Sequence, residues 1–420
     1  MFALLCCLIA TETDPAPSDA ARPAAWTMFR GGDGITDGAT RLPADLSVGA
    51  RRWRTGLPGR GWSSPVFADG LLWMTTALDD GRDLRLLAVD AATGELTRDI
   101  GVLAPADVQE IHSANSYASP TPCVAEGRVF AHFGRYGTAA VDAASGEVVW
   151  TDTKHPIEHG GGPGSSPVMA AGRLIITLDG ADATYVMALD PATGEEVWRT
   201  PRSGPQRDNP IVHRAFATPL VTDWDGRPVV VVPGADQVNA YDAASGQELW
   251  QVRYVGFSTV PQPVRWRDRV FVATGFPKPQ LLGIDLGGSG NVTDSHQAWA
   301  FRGPVPTIAS PVIALGTVWI VSDKGVLTGV DAASGDRAAV ERLGGNFSSS
   351  PVVVTRSDDA ATLVVGSRER ELLVVDLTRE DGDTAAEVRE TIDIAEPIYA
   401  TPLLMGDRLV LRTADAIWCW

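Results

Sequence analysis

The chain is 420 residues long and 44% hydrophobic, enough to bury a large core and, by length alone, to form two or three domains. Fifty-two acidic side chains against 35 basic ones give a formal net charge of −17. An anionic polymer or anionic membrane surface would meet net repulsion, so nucleic acid is set aside as a partner.

The chain opens on "MFALLCCLIA", ten apolar residues, followed by the polar, Pro/Ala-rich "TETDPAPSDAARPAA". Residues 1–25 therefore read as a signal peptide and disordered leader, although the apolar stretch is short and lacks a basic start. Export to the periplasm or cell envelope is the expectation. The "LLC" before Cys7 lacks the small residue of a lipid-attachment site, so a signal is read there rather than an anchor at Cys7. No other segment reaches the roughly 18–20 apolar residues that span a bilayer, and no further span is expected. Residues 26–50, beginning "WTMFRGGDG", form an N-terminal extension.

From about residue 51 the chain repeats. "AAVDAASGEVVW" ends at Trp150, "MALDPATGEEVW" at Trp198 and "NAYDAASGQELW" at Trp250, with weaker copies around Asp90 and Asp331. A Ser/Thr-Pro pair opens each unit, at Pro65, Pro122, Pro167, Pro219, Pro263, Pro311, Pro351 and Pro402, with Gln262 replacing Ser/Thr at the fifth. The prolines stand 40 to 57 residues apart, the range of propeller blades, and no run of helical periodicity interrupts them. Within a unit, "SPVMAAGRLIITLDG" reads as two strands about a tight turn, and "TYVMALDPATGEEVW" as two more about an Asp-x-x-Thr/Ser-Gly loop. There Asp caps backbone amides and Gly supplies positive φ, so Asp142, Asp190 and Asp242 are turn residues rather than catalysts. Trp150, Trp198 and Trp250, with Trp299 in the fifth unit, fall on the fourth strand, where they would dock one blade on the next. The last unit, "TPLLMGDRLVLRTADAIWCW", lacks a fourth strand, and "ARRWRTGLPG" before the first unit supplies an unmatched one with Trp53 in the docking position. The expected fold is all-β: an eight-bladed propeller of four-stranded antiparallel blades, one domain over 51–420, its ring closed by the N-terminal strand. Cys123 and Cys419 lie in apolar strand contexts and read as buried single thiols.

The repeat Asp-x-x-Thr-Gly-x-x-x-Trp, matched by "DAASGEVVW", "DPATGEEVW" and "DAASGQELW", resembles that of the pyrroloquinoline-quinone (PQQ) repeat propellers, most closely their exported BamB-like or PQQ-binding-like bacterial members. The likeness covers nearly all of 26–420 and includes "EIHSANSYASPTP", "GSGNVTDSHQAW" and "RLGGNFSSSP". It implies a quinoprotein-dehydrogenase-like ring and, from BamB, a non-catalytic envelope scaffold. The quinoprotein dehydrogenases of the same group imply a rival: quinone on an axial tryptophan floor, Ca²⁺ on Glu, Asn and Asp oxygens, an Asp base and a vicinal disulfide. Here the adjacent cysteines, Cys6 and Cys7, fall in the leader, no haem motif is present and no calcium set can be assigned, so neither PQQ nor Ca²⁺ is expected. A shared repeat carries a fold, not a chemistry.

In a propeller the loops leading into the inner strands crowd one mouth of the channel. Those loops hold Arg60 and Trp62; His112, Asn115 and Tyr117; His159; His213, Arg214 and Phe216; Tyr254 and Phe257; Thr307; Asn346 and Phe347; and Tyr399. Such a mixture of aromatics, imidazoles and amides suits a small ligand or a peptide. Trp62, His112, Asn115, Tyr117, His159, His213, Arg214, Phe257, Asn346 and Tyr399 are the candidate ligand-binding residues. His112, His159 and His213 occupy equivalent loops, which leaves open an enzyme with a histidine site, even a metal, although their wide separation matches no local ligand motif. The glycine run "HGGGPG" reads as a flexible loop, since no Lys-Ser/Thr or helix follows it. No nucleophile elbow appears, no catalytic residue and no metal site is assigned, and the leading expectation is a monomeric binding scaffold for an envelope protein or small ligand.

Overall fold

The computed structural model describes residues 26–36, 38–204 and 206–420. The signal and leader expected over 1–25, with Cys6 and Cys7, lie outside the described residues. Eight four-stranded antiparallel sheets follow one another along the chain, one of them carrying an added fifth strand. Blade 1 consists of Val66–Ala68, Leu71–Leu78, Asp83–Asp90 and Leu96–Leu103, hydrogen-bonded in sequence order. Blades 2 to 7 repeat that order over 123–152, 168–201, 220–253, 264–301, 312–342 and 352–393. Blade 8 takes three strands from 403–419 and its outer strand from Trp53–Gly56, paired antiparallel from Trp53 opposite Cys419 to Gly56 opposite Ala416. Among the described residues no helix is long and apolar enough to cross a membrane.

The Asp-x-x-Thr/Ser-Gly turn forms by local hydrogen bonding. Asp142 Oδ1 accepts the Ser145 backbone N–H at 2.8 Å and its hydroxyl at 2.9 Å, and Asp90, Asp190 and Asp242 do the same for Thr93, Thr193 and Ser245. Gly94, Gly194, Gly246 and Gly335 then take positive φ of 74–80°. Each is also the seat of the preceding blade's tryptophan. A Cβ on Gly194 would lie 2.6 Å from Trp150, and one on Gly246 2.4 Å from Trp198. Trp53 meets Gly94 and Trp299 meets Gly335 in the same way. The indole N–H of Trp150 donates to Pro191 O at 3.1 Å, and those of Trp53, Trp198 and Trp299 reach Ala91 O, Ala243 O and Ala332 O. Trp250 is seated differently. The turn of blade 5 has grown into a loop whose Gly290–Asn291 anneals in parallel onto the outer strand of blade 4, with Trp250 opposite Gly290. In blade 1 the corresponding position is Arg98, whose guanidinium donates to Ala144 O at 3.1 Å and lies over Gly146.

The inner faces are joined by a girdle. In each unit the Ser/Thr before the proline uses its hydroxyl oxygen to accept the backbone N–H of its counterpart in the preceding blade. Ser64 N–H donates to Thr121, Thr121 to Ser166 and Ser166 to Thr218, at 2.9–3.0 Å. Gln262 N–H donates to Ser310, Ser310 to Ser350, Ser350 to Thr401 and Thr401 to Ser64, closing the ring at 2.9–3.0 Å. Only between blades 4 and 5 is the hydroxyl missing, where Gln262 instead donates its side-chain amide to Pro219 O.

The N-terminal extension is part of the ring. Trp26 O accepts Phe67 N–H in blade 1, Thr27 O accepts Val124 N–H in blade 2, and Gly34 and Thr36 bracket Val353 in blade 7. All three partners lie two residues beyond the proline, so the segment crosses the channel past the girdle. Arg30, fully buried, donates to Pro311 O at 2.6 Å and Pro351 O at 3.4 Å. The channel is thereby stoppered at one end.

Candidate functional site

The stopper turns the channel into a blind cup of about 750 Å³. The girdle hydroxyls ring its floor, Phe29 of the extension reaches it from the stoppered end, and the loops before each blade make its wall. The seven floor hydroxyls, on Ser64, Thr121, Ser166, Thr218, Ser310, Ser350 and Thr401, are each at most 3% exposed.

Of the ten residues expected at the mouth, Trp62, His112, Asn115, Arg214, Phe257 and Tyr399 line this cup, together with Phe216 and Thr307. Trp62 and Tyr399, from the loops before blades 1 and 8, stack at 4.1 Å and 18°. Arg60 lies over Trp62 at 4.8 Å and Arg368 by Tyr399 at 5.8 Å, so each ring has a guanidinium neighbour. Asn115 points its amide into the wall, donating to Gly161 O and Pro163 O at 2.8 and 2.9 Å. These bonds, and Phe216 packed against Gly161 and Gly164, hold the glycine run in place. It is a packed loop rather than a flexible one: at Gly161, Gly162 and Gly164 a Cβ would strike Phe216, Asn115 or Ile111, while Gly160 has open space.

The other four mouth candidates stand away from the cup. Tyr117 turns outward, donating to Gln109 O at 2.8 Å and packing near Tyr136. His159 is buried beneath Phe216, edge-on at 4.6 Å and within 3.3 Å of Ala215 O. His213 bonds Arg207 O at 2.7 Å in an outlying turn. Asn346 is held by Glu369, which accepts its backbone and side-chain N–H groups, and by Lys324 at 2.8 Å. Loop equivalence places residues in the same tier but leaves the direction of each side chain to its neighbours.

His112, His159 and His213 therefore do not converge. His112 is on the cup, His159 in a separate crevice with Asp179, and His213 in a third, with Arg207 and Asp236. Burial holds the His159 pKa below its ordinary value, keeping the ring neutral. Among the described residues no three His, Cys, Asp or Glu side chains group as metal ligands. The buried thiols are inert, burial pushing Cys123 up to about 12 and Cys419 up to about 11.

Trp62 is the tryptophan on the cup's lining, with Tyr399 stacked on its indole and Arg60 over it. Glu110 is the lining's single carboxylate.

Sequence reasoning missed Phe29, Phe276 and Arg368 on the lining. Phe276 sits in "GFPKPQ" inside a blade-5 hairpin and Arg368 inside one of blade 7, whereas the expected positions all fall in the loops before each proline. The girdle was visible as the recurring Ser/Thr, whose repetition alone points only to the start of a strand.

A family model described as outer membrane protein assembly factor BamB matches residues 45–235 and 234–388. No curated protein matches the sequence. The solved structure of BamB from Moraxella catarrhalis is 13% identical, covers 88% of this chain and 97% of its own, and superposes with a TM-score of 0.60. The quinohemoprotein alcohol dehydrogenase from Comamonas testosteroni is 12% identical, covering 96% of this chain and 81% of its own at a TM-score of 0.65. The C-terminal WD40 domain of Sif2 is 10% identical, at 88% and 97% coverage and a TM-score of 0.53. At these identities the likeness is one of fold.

Proposed function

The chain belongs to the family described as outer membrane protein assembly factor BamB, and from that premise we propose that it is an exported, non-catalytic propeller that binds an envelope protein or a small ligand at the cup. The observation that carries this reading is the asymmetric mouth. The cup has one open end, and its lining includes a large apolar side chain in water, Phe276 at 54% exposure. Exposed apolar groups beside a concavity are the usual mark of a docking surface. The family description adds assembly of outer membrane proteins as the setting. We propose further that it works without PQQ or calcium, supported by Tyr399 stacked on the Trp62 indole, Arg60 over it and the lone carboxylate of the cup.

The test is site-specific photo-crosslinking in envelope preparations. A crosslinker replacing Phe276 should trap a discrete partner, and one replacing Val340, exposed on the outer strand of blade 6, should not. Equal trapping at both positions, or at neither, overturns the scaffold role at the mouth. Dye-linked alcohol oxidation gained on adding PQQ and Ca²⁺ would overturn the cofactor-free reading.

A further inference from the structure

The cup is built of hydrogen-bond donors. Each of the seven girdle hydroxyls spends its oxygen on a neighbour's backbone N–H, and among the described residues none of their own protons is donated in a hydrogen bond. A hydroxyl that has accepted still has one proton to give, so the floor is a ring of unspent O–H donors. Past the girdle, Arg30 is fully buried, and its Nε and Nη1 have no hydrogen-bond partner. Burial lowers its pKa to about 10, with Asp33 pulling the other way, so it stays cationic at neutral pH.

The wall has the same bias. Arg214 and Arg368 line it without an ion pair among the described residues, Arg368 giving its Nε only to Ser348 Oγ at 2.6 Å. Glu110 is the single carboxylate on the lining, and Glu369 acts on Arg368 from off the lining. In a chain of net charge −17, the concave surface is one where cations and donors outnumber anions. Between floor and rim stand Phe216, Phe257 and Phe276, the last two edge-to-face at 5.5 Å.

We propose that the cup binds a small organic anion with an aromatic or apolar body, its charged oxygens toward the floor donors and Arg214 or Arg368, its body against Phe216 and Phe257. The inference rests on the reading of the cup as a binding site and narrows it to a ligand class. Charge-assisted donors in a partly desolvated cavity hold an acidic oxygen more tightly than a neutral one.

The test uses two fluorescent probes of one skeleton, 1-anilinonaphthalene-8-sulfonate and the neutral N-phenyl-1-naphthylamine, titrated into the full chain. The sulfonate should bind one to one and at least about tenfold tighter, the factor that one charge-assisted hydrogen bond supplies. That preference should fall toward unity in an Arg214→Gln/Arg368→Gln variant, which alters no girdle bond, and fall by about threefold to tenfold in Ser310→Ala/Ser350→Ala. Displacement from the wild-type chain by benzoate but not by benzylamine gives a second readout that requires no variant. Equal binding of the two probes, no sulfonate binding, or a preference untouched by both variants overturns the proposal. Crosslinking from Phe276 is independent of all three outcomes, so a failed ligand class is distinguishable from a failed docking role.

Discussion

At the scale of single residues, the recurring glycine of the Asp turn does two things that the turn alone would not reveal. It supplies a left-handed backbone, and its bare Cα is the platform on which the previous blade's tryptophan rests. Two glycines separate these effects. Gly194 has φ +75° with Trp150 above it, and Gly172 has φ +66° with nothing within 4 Å of where a Cβ would stand. Gly172→Ala should cost only the conformational penalty, roughly 1–2 kcal/mol. Gly194→Ala should cost at least about 1–3 kcal/mol more, because the methyl group displaces the indole. Equal losses in denaturant unfolding would show that the seat contributes nothing. The turn aspartates give a pH signature. Backbone N–H groups of Thr93 and Ser145, then their hydroxyls, hold the Asp90 and Asp142 pKa values below the ordinary range. A lowered folded pKa means stability present above the unfolded value of about 4 and lost as pH falls through the folded one. The Asp90→Asn/Asp142→Asn variant should therefore lose less in Tm than the wild type between pH 6 and pH 3; an identical loss would place the acid sensitivity elsewhere.

At the scale of elements, blades are joined by contacts of very different legibility. The docking tryptophans were visible because they repeat, and so was the borrowed strand, because an unmatched Trp53 precedes a unit that lacks its fourth strand. Arg98, standing where a tryptophan is expected and reaching Ala144 O, was not visible: nothing in "LTRDIG" distinguishes it from a solvated strand residue. The join between blades 3 and 4 was equally hidden. Asp179 in "TLDG" and Arg202 in "TPRSG" look like surface turn residues, yet both side chains are at most 1% exposed and form a two-pronged ion pair at 2.7 Å. Arg202 also donates to Val232 O and Asn239 across the blade boundary. Burial is the largest influence on Arg202 and lowers its pKa, but the Asp179 charge and hydrogen bonds together with Tyr241 and Tyr254 outweigh it and raise it. Arg202→Met leaves a carboxylate buried and unpaired and should cost about 3–5 kcal/mol. Adding Asp179→Leu should recover most of that loss, because two apolar side chains no longer strand a charge. A double variant as unstable as the single one would mean that the cross-blade bonds of Arg202, rather than its charge pairing, join the blades. The same division governs the site: residues fixed by the repeat period were placed in the right tier, and side-chain directions set by unique neighbours, as at His159 and His213, were not.

At the scale of the whole molecule, two segments from one end of the chain turn a row of blades into a closed cup. The strand Trp53–Gly56 completes the ring and removes the sheet edge that blade 8 would otherwise expose. Residues 26–36 stopper the channel, and their contacts explain why no sequence pattern announced them, since the bonds are spread over blades 1, 2, 6 and 7 and follow no period. The stopper contributes to the fold as well as to the shape of the cup. Trp26 is buried at 7% exposure in the cluster that packs blades 7, 8 and 1, with Gly31 folded against its ring. Trp26→Ala should therefore lower global stability by about 3–5 kcal/mol, the range for removing a buried aromatic. Unfolding should remain a single transition, because the blades the segment bridges are the two sides of the ring closure. Phe29→Ala, by contrast, takes a side chain from the stoppered end of the cup, where the removed volume adds to an existing cavity. It should disturb stability less than Trp26→Ala and change ligand affinity more. The opposite ranking, or a Trp26→Ala chain whose main transition is unmoved while protease cleaves near residue 31, would make the segment an appendage and leave the channel open at both ends.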